Sequence, residues 1–295
     1  MLRGRLGLET ARIPHADRHG LLWLSHGTIA VQAGTVSFER KIAKQGSDDP
    51  EPGRYSIPFQ TLSTIIMGPG TSVTHDALRL LARHGTALVA AGKDGVRCYT
   101  APPIMRDQSD LARRQVTAWA DAGMRLVVAR RMYEIRMGRT IDGKDINALR
   151  GMEGARMRES YRLHAQKAGI QWSGRWYDRA NPVAADVPNQ AINHASTAVQ
   201  AAAAIAVTAT ATIPQLGFIH EDSGQSFVLD IADLYRDSVT IPVAFAAARK
   251  VLQSSSTQSV ERTTRKDCGS EFRKRRVIPM MIDTIKGLFP ASAQE

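Results

Sequence analysis

His220 lies ten positions ahead of Asp230, and Asp233 follows at i+3, in the stretch GFIHEDSGQSFVLDIADLYRD over 217–237. On a helix, positions i and i+3 share a face, so both carboxylates point the same way, and Asp237 extends that face. Like charges at this spacing repel by roughly a few tenths of a kcal/mol unless a cation lies between them. A loop imidazole opposite two carboxylates is a mixed nitrogen and oxygen donor set of the kind Mg²⁺ or Mn²⁺ accepts. With no second His and no Cys beside it, the set does not suit structural zinc. The same residues also describe a solvated acidic face with a capping or core histidine. Phe227, Val228 and the apolar run 241–248 argue against a wet face, because they leave that helix little solvent.

A third carboxylate, Glu153, stands between Gly151 and Gly154 in LRGMEGARMRES, 149–160. Each glycine costs a helix up to ~1 kcal/mol relative to alanine, so the pair reads as serving close backbone approach. Arg150, Arg156 and Arg158 crowd the same carboxylate. Either Glu153 is a salt-bridged surface residue, or it is a metal ligand ringed by guanidinium groups that grip phosphates. Spacing alone leaves both open. The stretch VERTTRKDCGSEFRKRRVIP, 260–279, concentrates Arg262, Arg265, Lys266, Arg273, Lys274, Arg275 and Arg276. It is either a phosphate-gripping patch or solvated surface. The formal charge of +11 and a pI near 10.0 suit a polyanionic partner, although a basic surface also serves solubility.

Several chemistries are excluded. The chain has no G-x-x-x-x-G-K-[ST] loop, no G-x-S-x-G elbow and no H-E-x-x-H helix. Cys98 and Cys268 are too few for a disulfide framework or a thiolate zinc site, which points to a reducing, cytoplasmic setting. The basic N-terminus lacks the apolar core of a secretory signal, and the Ala- and Thr-rich run 197–213 is too weakly hydrophobic to span a bilayer.

The elements that must position these groups fall into two textures. Residues 20–100 carry β-type runs, LLWLSHGTIAVQ, GTVSFER, YSIPFQTLSTIIM, TALVAAG and GVRCYT, separated by Gly-containing turns. Residues 41–54 have loop composition, and GPGTSV at 68–73 reads as a turn. One helix interrupts this half, capped by Thr74 and stopped at Gly85. After the Pro102–Pro103 connector the pattern becomes helical: about 108–138, 147–168 ending at Gly169, an Ala-rich helix from Pro188, then 226–235, 242–254 and 277–287. The boundary predicted from this shift lies at 101–106, giving a β-rich domain over 1–103 and an α-helical one over 104–295.

Taken together, LRGMEGARMR, GFIHEDSGQSFVLDIADLYR and GTALVAAGKDGVRCY resemble the CRISPR-associated integrase that inserts new spacers into CRISPR arrays, most closely its type I-E branch. The resemblance runs from about residue 20 to 287, in order and spacing. It implies an α+β fold, with an N-terminal β-sandwich-like domain followed by a larger all-α-helical catalytic domain. It implies a homodimer, two of which flank a dimer of the small second CRISPR adaptation protein in a heterohexamer. It places the metal ligands at Glu153, His220 and Asp233, with Asp230 in a supporting role and Mg²⁺ or Mn²⁺ as cofactor. DNA-contacting positions fall on Arg97, Arg150 and Arg158, and also on Arg79, Arg262 and Arg265. Arg156 and Lys266 join them from the local clusters. The implied reaction is attack of a prespacer 3′-hydroxyl on a phosphodiester of the CRISPR repeat, with double-stranded and branched DNA as partner and no membrane. Because the ligand would be neutral His220, activity is expected to fall as pH drops through its titration range.

Some positions depart from the pattern. His26 stands where type I-E relatives carry a tyrosine, Gln200 and Leu229 replace aromatic residues, and the usual lysine is missing from HEDSGQSF. The chain ends at GLFPASAQE without a long Pro-rich tail. Two rival functions use the same residues. One is a structure-selective endonuclease of branched DNA acting in repair, with water in place of the hydroxyl. The other is a non-catalytic DNA-binding module whose acidic cluster only braces helices.

Overall fold

The computed structural model describes residues 20–40, 51–99, 109–140, 146–176, 185–254 and 259–289. Strands β1 (Gly20–Leu24), β5 (Leu62–Met67) and β7 (Ala87–Ala90) pair in parallel, in the order β1-β5-β7. A second sheet has the order β4-β3-β2-β6, from β4 (Gly53–Ser56), β3 (Thr35–Arg40), β2 (Gly27–Gln32) and β6 (Ser72–Val73). The β2–β3 hairpin closes on Ala33 and Gly34, both at positive φ, as a two-residue turn of matching twist requires. Helix α1 (His75–His84) begins and ends where expected: the Thr74 hydroxyl accepts from the Ala77 amide at 3.3 Å, and Gly85 is left-handed.

Alternation along the parallel sheet splits its side chains between two cores. Ile65 and Leu88 pack with Ile29, Phe38 and Leu81 between the sheets and α1. Their neighbours Ile66 and Val89 face the other way, into the core of the helical half. The expected strand GVRCYT is replaced by a 3₁₀ turn over Lys93–Gly95 and a single bridge, Ala91 to Cys98. The reason is tertiary. Asp94, at φ 58°, inserts against Gly269 and pairs with Arg273, both on a helix of the other half.

The helical half comprises α2 (Asp110–Ala120), α3 (Ala122–Met137), α4 (Ile146–Ala168), α5 (Val187–Ala209), α6 (Ser226–Leu234), α7 (Ile241–Gln253), α8 (Val260–Arg275) and α9 (Val277–Leu288). The Ala-rich α5 runs through its centre with Ala195, Ala198, Ala202, Ala203 and Ala206 buried, and their small volume lets α6, α7, α8 and α9 all pack against it. In place of the single helix expected over 108–138 there are two, because the Asp121 carboxylate accepts from the Met124 amide at 2.7 Å and starts α3 afresh. The basic stretch after Val260 is itself a helix, α8. Thr264, Cys268 and Phe272 recur every fourth residue on its buried face, while Arg262, Lys266 and Lys274 are exposed.

The predicted connector at 101–106 lies outside the described residues, as does the basic N-terminus. Among the described residues no helix is long and apolar enough to cross a membrane.

Candidate active site

His220 is delivered by a loop, and α2 holds that loop in place. The Gln115 side chain donates to the carbonyls of Ile213 and Leu216, each at 3.0 Å, and accepts from the Ile213 amide at 2.7 Å. The Trp119 indole donates to the Gly217 carbonyl at 3.0 Å. Gly217 must be glycine for a local reason: a Cβ there would run into the backbone of His220 and Ser226.

The loop then folds onto Asp230, which α6 presents fully buried. One carboxylate oxygen of Asp230 accepts from the amides of Phe218 at 2.6 Å and Ile219 at 3.1 Å. The other accepts from the His220 amide at 3.0 Å and from His220 Nδ1 at 2.7 Å. Four donors on one carboxylate explain how a charge with no solvent exposure is tolerated. The hydrogen bond to Asp230 also raises the His220 pKa above its ordinary value, against the opposing effect of burial.

With Nδ1 committed to Asp230, Nε2 is the nitrogen left to face the cavity, and Asp233 Oδ2 lies 3.9 Å from it. Asp230 and Asp233 thus share the helix face that their spacing requires, one above each imidazole nitrogen. The solvated-face reading fails for Asp230, since it is fully buried. Asp237 does not extend that face. A π-type turn over Arg236–Thr240 follows α6, and Asp237 pairs with Arg156 at 3.3 Å.

Glu153 reaches the same cavity from α4. The cavity, of about 610 Å³, is lined by Tyr133, Glu153, Ile219, His220, Leu229 and Asp233 among others. Among the described side chains, the one that pairs with Glu153 comes from another helix. Arg136 of α3 pairs with Glu153 Oε1 and lies 3.7 Å from Asp233 Oδ2. Arg156 instead donates to the Arg136 carbonyl at 2.8 Å. Arg158 is exposed, and the side chain of Arg150 lies outside the described residues. Arg236, one turn beyond Asp233, donates to its Oδ1 at 3.0 Å and to the Tyr161 hydroxyl at 3.2 Å. Sequence reasoning misses both Arg136 and Arg236. The i+3 spacing from Asp233 could have flagged Arg236, but nothing marks Arg136 within an arginine-rich helix.

The donor set fits a hard divalent ion in kind. It offers one free imidazole nitrogen and two carboxylates, and the 3.9 Å between Nε2 and Asp233 Oδ2 is within the span of two bonds of about 2.1 Å to one ion. Among the described residues no three His, Cys, Asp or Glu side chains converge as a ready-made metal cluster, and Glu153 is paired with Arg136.

Of the remaining basic positions, Arg97 Nη2 and Arg265 Nη2 both contact Glu261 Oε1, at 2.7 and 2.8 Å, which brings two predicted DNA positions together across 168 residues of sequence (265 − 97). Arg79 pairs with Asp76 at 3.1 Å on α1, far along the chain from this cluster. Arg262 and Lys266 are exposed one turn apart on α8. His26 is exposed at φ 57°, Gln200 is half-buried on α5, and Leu229 lines the cavity.

The family model described as CRISPR associated protein Cas1 matches residues 21–142 and 133–265 of this chain. The CRISPR-associated endonuclease Cas1 1 of Rhodospirillum rubrum is 33% identical over 281 residues, covering 95% of this chain and 87% of that protein. The CRISPR-associated endonuclease Cas1 of Escherichia coli is 33% identical over 280 residues, with the same coverage of 95% and 87%. The solved structure of a TtCas1-DNA complex superposes with a TM-score of 0.81 at 31% identity, covering 93% of this chain and 97% of that one.

Proposed function

The chain belongs to the CRISPR-associated Cas1 family, and from that premise we propose that it is a metal-dependent DNA integrase and endonuclease acting in CRISPR spacer acquisition. The observation that carries the site assignment is the buried Asp230 carboxylate, which fixes the His220 ring so that Nε2 faces Asp233. Glu153, His220 and Asp233 would hold the ion, and Asp230 would orient the imidazole without touching the ion.

When bound, Mg²⁺ or Mn²⁺ supplies Lewis-acid polarisation of the phosphoryl group and stabilises charge on the entering and leaving oxygens. In the reaction, a DNA 3′-hydroxyl forms a new bond to phosphorus as the bond to the original 3′-oxygen breaks. The attacking hydroxyl loses its proton and the departing oxygen gains one. One phosphodiester replaces another, so no nucleotide cofactor is needed. Arg97, Arg150, Arg158, Arg262, Arg265 and Lys266 are assigned to phosphate contacts, in keeping with the +11 charge and with the DNA bound to the related TtCas1. Arg79 and Arg156 complete the assigned positions. The type I-E branch, the homodimer and the heterohexamer with the small second adaptation protein rest on the family resemblance.

The test supplies a duplex with free 3′-hydroxyl ends and a plasmid carrying a CRISPR repeat, with Mg²⁺ or Mn²⁺ and the partner protein. Covalent joining is expected, and it should be lost in His220→Ala and Asp233→Ala with DNA binding retained. Cutting without joining would favour the branched-DNA nuclease. Equal joining by the variants would remove the catalytic assignment of these residues, and neither joining nor cutting by the parent would leave a DNA-binding module.

A further inference from the structure

The two carboxylates assigned to the ion are already neutralised by this chain's own cations. Arg136 is the more deeply placed of these, with its side chain only 4% exposed. Its Nη1 pairs with Glu153 Oε1 and lies 3.7 Å from Asp233 Oδ2, while Nη2 lies 3.3 Å from the Met157 sulfur. Among the described residues its buried Nε has no hydrogen-bond partner. A guanidinium buried with one polar hydrogen unsatisfied and another on a thioether is costly unless charge compensates it. Here the compensation comes from Glu153 and Asp233. Arg156 also donates to the Arg136 carbonyl at 2.8 Å, a contact to the main chain from which this side chain leaves.

We propose that Arg136 is a built-in counter-cation of the active site: its guanidinium neutralises Glu153 and Asp233 when no ion is bound, and it competes with the divalent ion for Glu153. Arg136 is then a positioning residue with two opposed effects. It keeps the carboxylates from repelling one another in the metal-free protein, and it weakens the first binding of metal, since Glu153 must leave the guanidinium to become a ligand. Competition for one group is reciprocal, so whatever affinity the ion gains on removing Arg136 measures how tightly Arg136 holds Glu153. This inference rests on the metal site proposed above.

The experiment titrates the full chain with Mn²⁺, without DNA, and follows free Mn²⁺ by electron paramagnetic resonance. Binding that disappears in His220→Ala is assigned to this site. Arg136→Gln is expected to bind Mn²⁺ about tenfold more tightly than the parent, to melt at a lower temperature in chelator, and to gain more from added Mn²⁺. Arg136→Lys, which keeps the charge, should stay near the parental affinity. A purely structural role would lower the melting temperature without tightening the metal. Equal or weaker binding by folded Arg136→Gln overturns this inference alone. No Mn²⁺ binding by either protein overturns the metal-site reading together with it. Should Arg136→Gln fail to fold, the unaltered protein still decides. The Arg136 Nε–H resonance, identified by its loss in Arg136→Lys, must shift as Mg²⁺ is added, and a resonance that stays put refutes the competition.

Discussion

Replacing Asp230 by asparagine changes one atom in a fully buried group that four donors surround. The amide oxygen can serve only one side of the original carboxylate. If it keeps the Phe218 and Ile219 amides, the new NH₂ group faces the His220 amide and Nδ1–H, donor against donor. If it turns the other way, the two loop amides are stranded instead. Each buried donor left unpaired costs about 1–3 kcal/mol, and losing the charge weakens the bonds that survive. With partial relaxation of the loop, the expected loss of stability is about 2–4 kcal/mol. For a chain of this size, that lowers the melting temperature by about 3–7 °C. A second effect acts on the ring. An asparagine NH₂ donating to Nδ1 selects the tautomer with hydrogen on Nε2, the nitrogen that must be free to ligate. Asp230→Asn should therefore lose stability, Mn²⁺ affinity and DNA joining together. Asp233→Asn provides the contrast, since Asp233 is partly exposed and its partners are arginines already held elsewhere. It should lose metal binding and joining with a much smaller change in melting temperature. Thermal denaturation and Mn²⁺ titration of the two variants decide the matter. If Asp230→Asn melts like the parent while losing metal, Asp230 is itself a ligand and the anchoring argument is wrong.

Three further outcomes can be measured directly. Glu261→Gln frees Arg97 and Arg265 for phosphate, so DNA should bind about twofold to fivefold more tightly at low salt, with a steeper salt dependence in an anisotropy titration; unchanged binding would remove these arginines from the DNA surface. Burial pushes the Cys268 thiol up to about 12, so a disulfide reagent should label Cys98 but not Cys268 until the chain is unfolded. Burial also lowers the pKa of His194, so this residue contributes stability that is present above its unfolded pKa and lost as pH falls through its lower folded pKa. Melting temperatures taken from about pH 7 down to pH 5 should fall less steeply in His194→Gln than in the parent.

What the sequence discloses follows from the range over which each feature is encoded. Helix α1 is bounded by a Thr cap and a Gly stop that act within a single turn, and both are legible. The Asp230–Asp233 spacing is likewise local, so the shared face can be read from the order of residues alone. The break at Asp121 is local too, an Asp followed by Ala-Gly, but continuous helical periodicity on either side masks it. Charge hides α8 in the same way: the fourfold recurrence of Thr264, Cys268 and Phe272 is present in the residues but diluted by arginines and lysines. Arg136 is different in kind. Its partners Glu153 and Asp233 lie on α4 and α6, so only the packing of three helices gives it a role. The same holds for Asp94, whose partner Arg273 is far along the chain and whose insertion against Gly269 replaces an expected strand.

The parallel sheet with a core on each face has a consequence for how the protein comes apart. Ile66, Val89, Ala91 and Val96 belong to the early, strand-rich half of the sequence, yet they complete the interior of the helical half. A helical fragment produced alone would lack these plugs and present their apolar imprint to water, inviting aggregation. The strand-rich fragment would expose the matching side chains. Neither half is therefore expected to fold by itself, and melting of the intact chain should register as one cooperative transition in both calorimetry and circular dichroism.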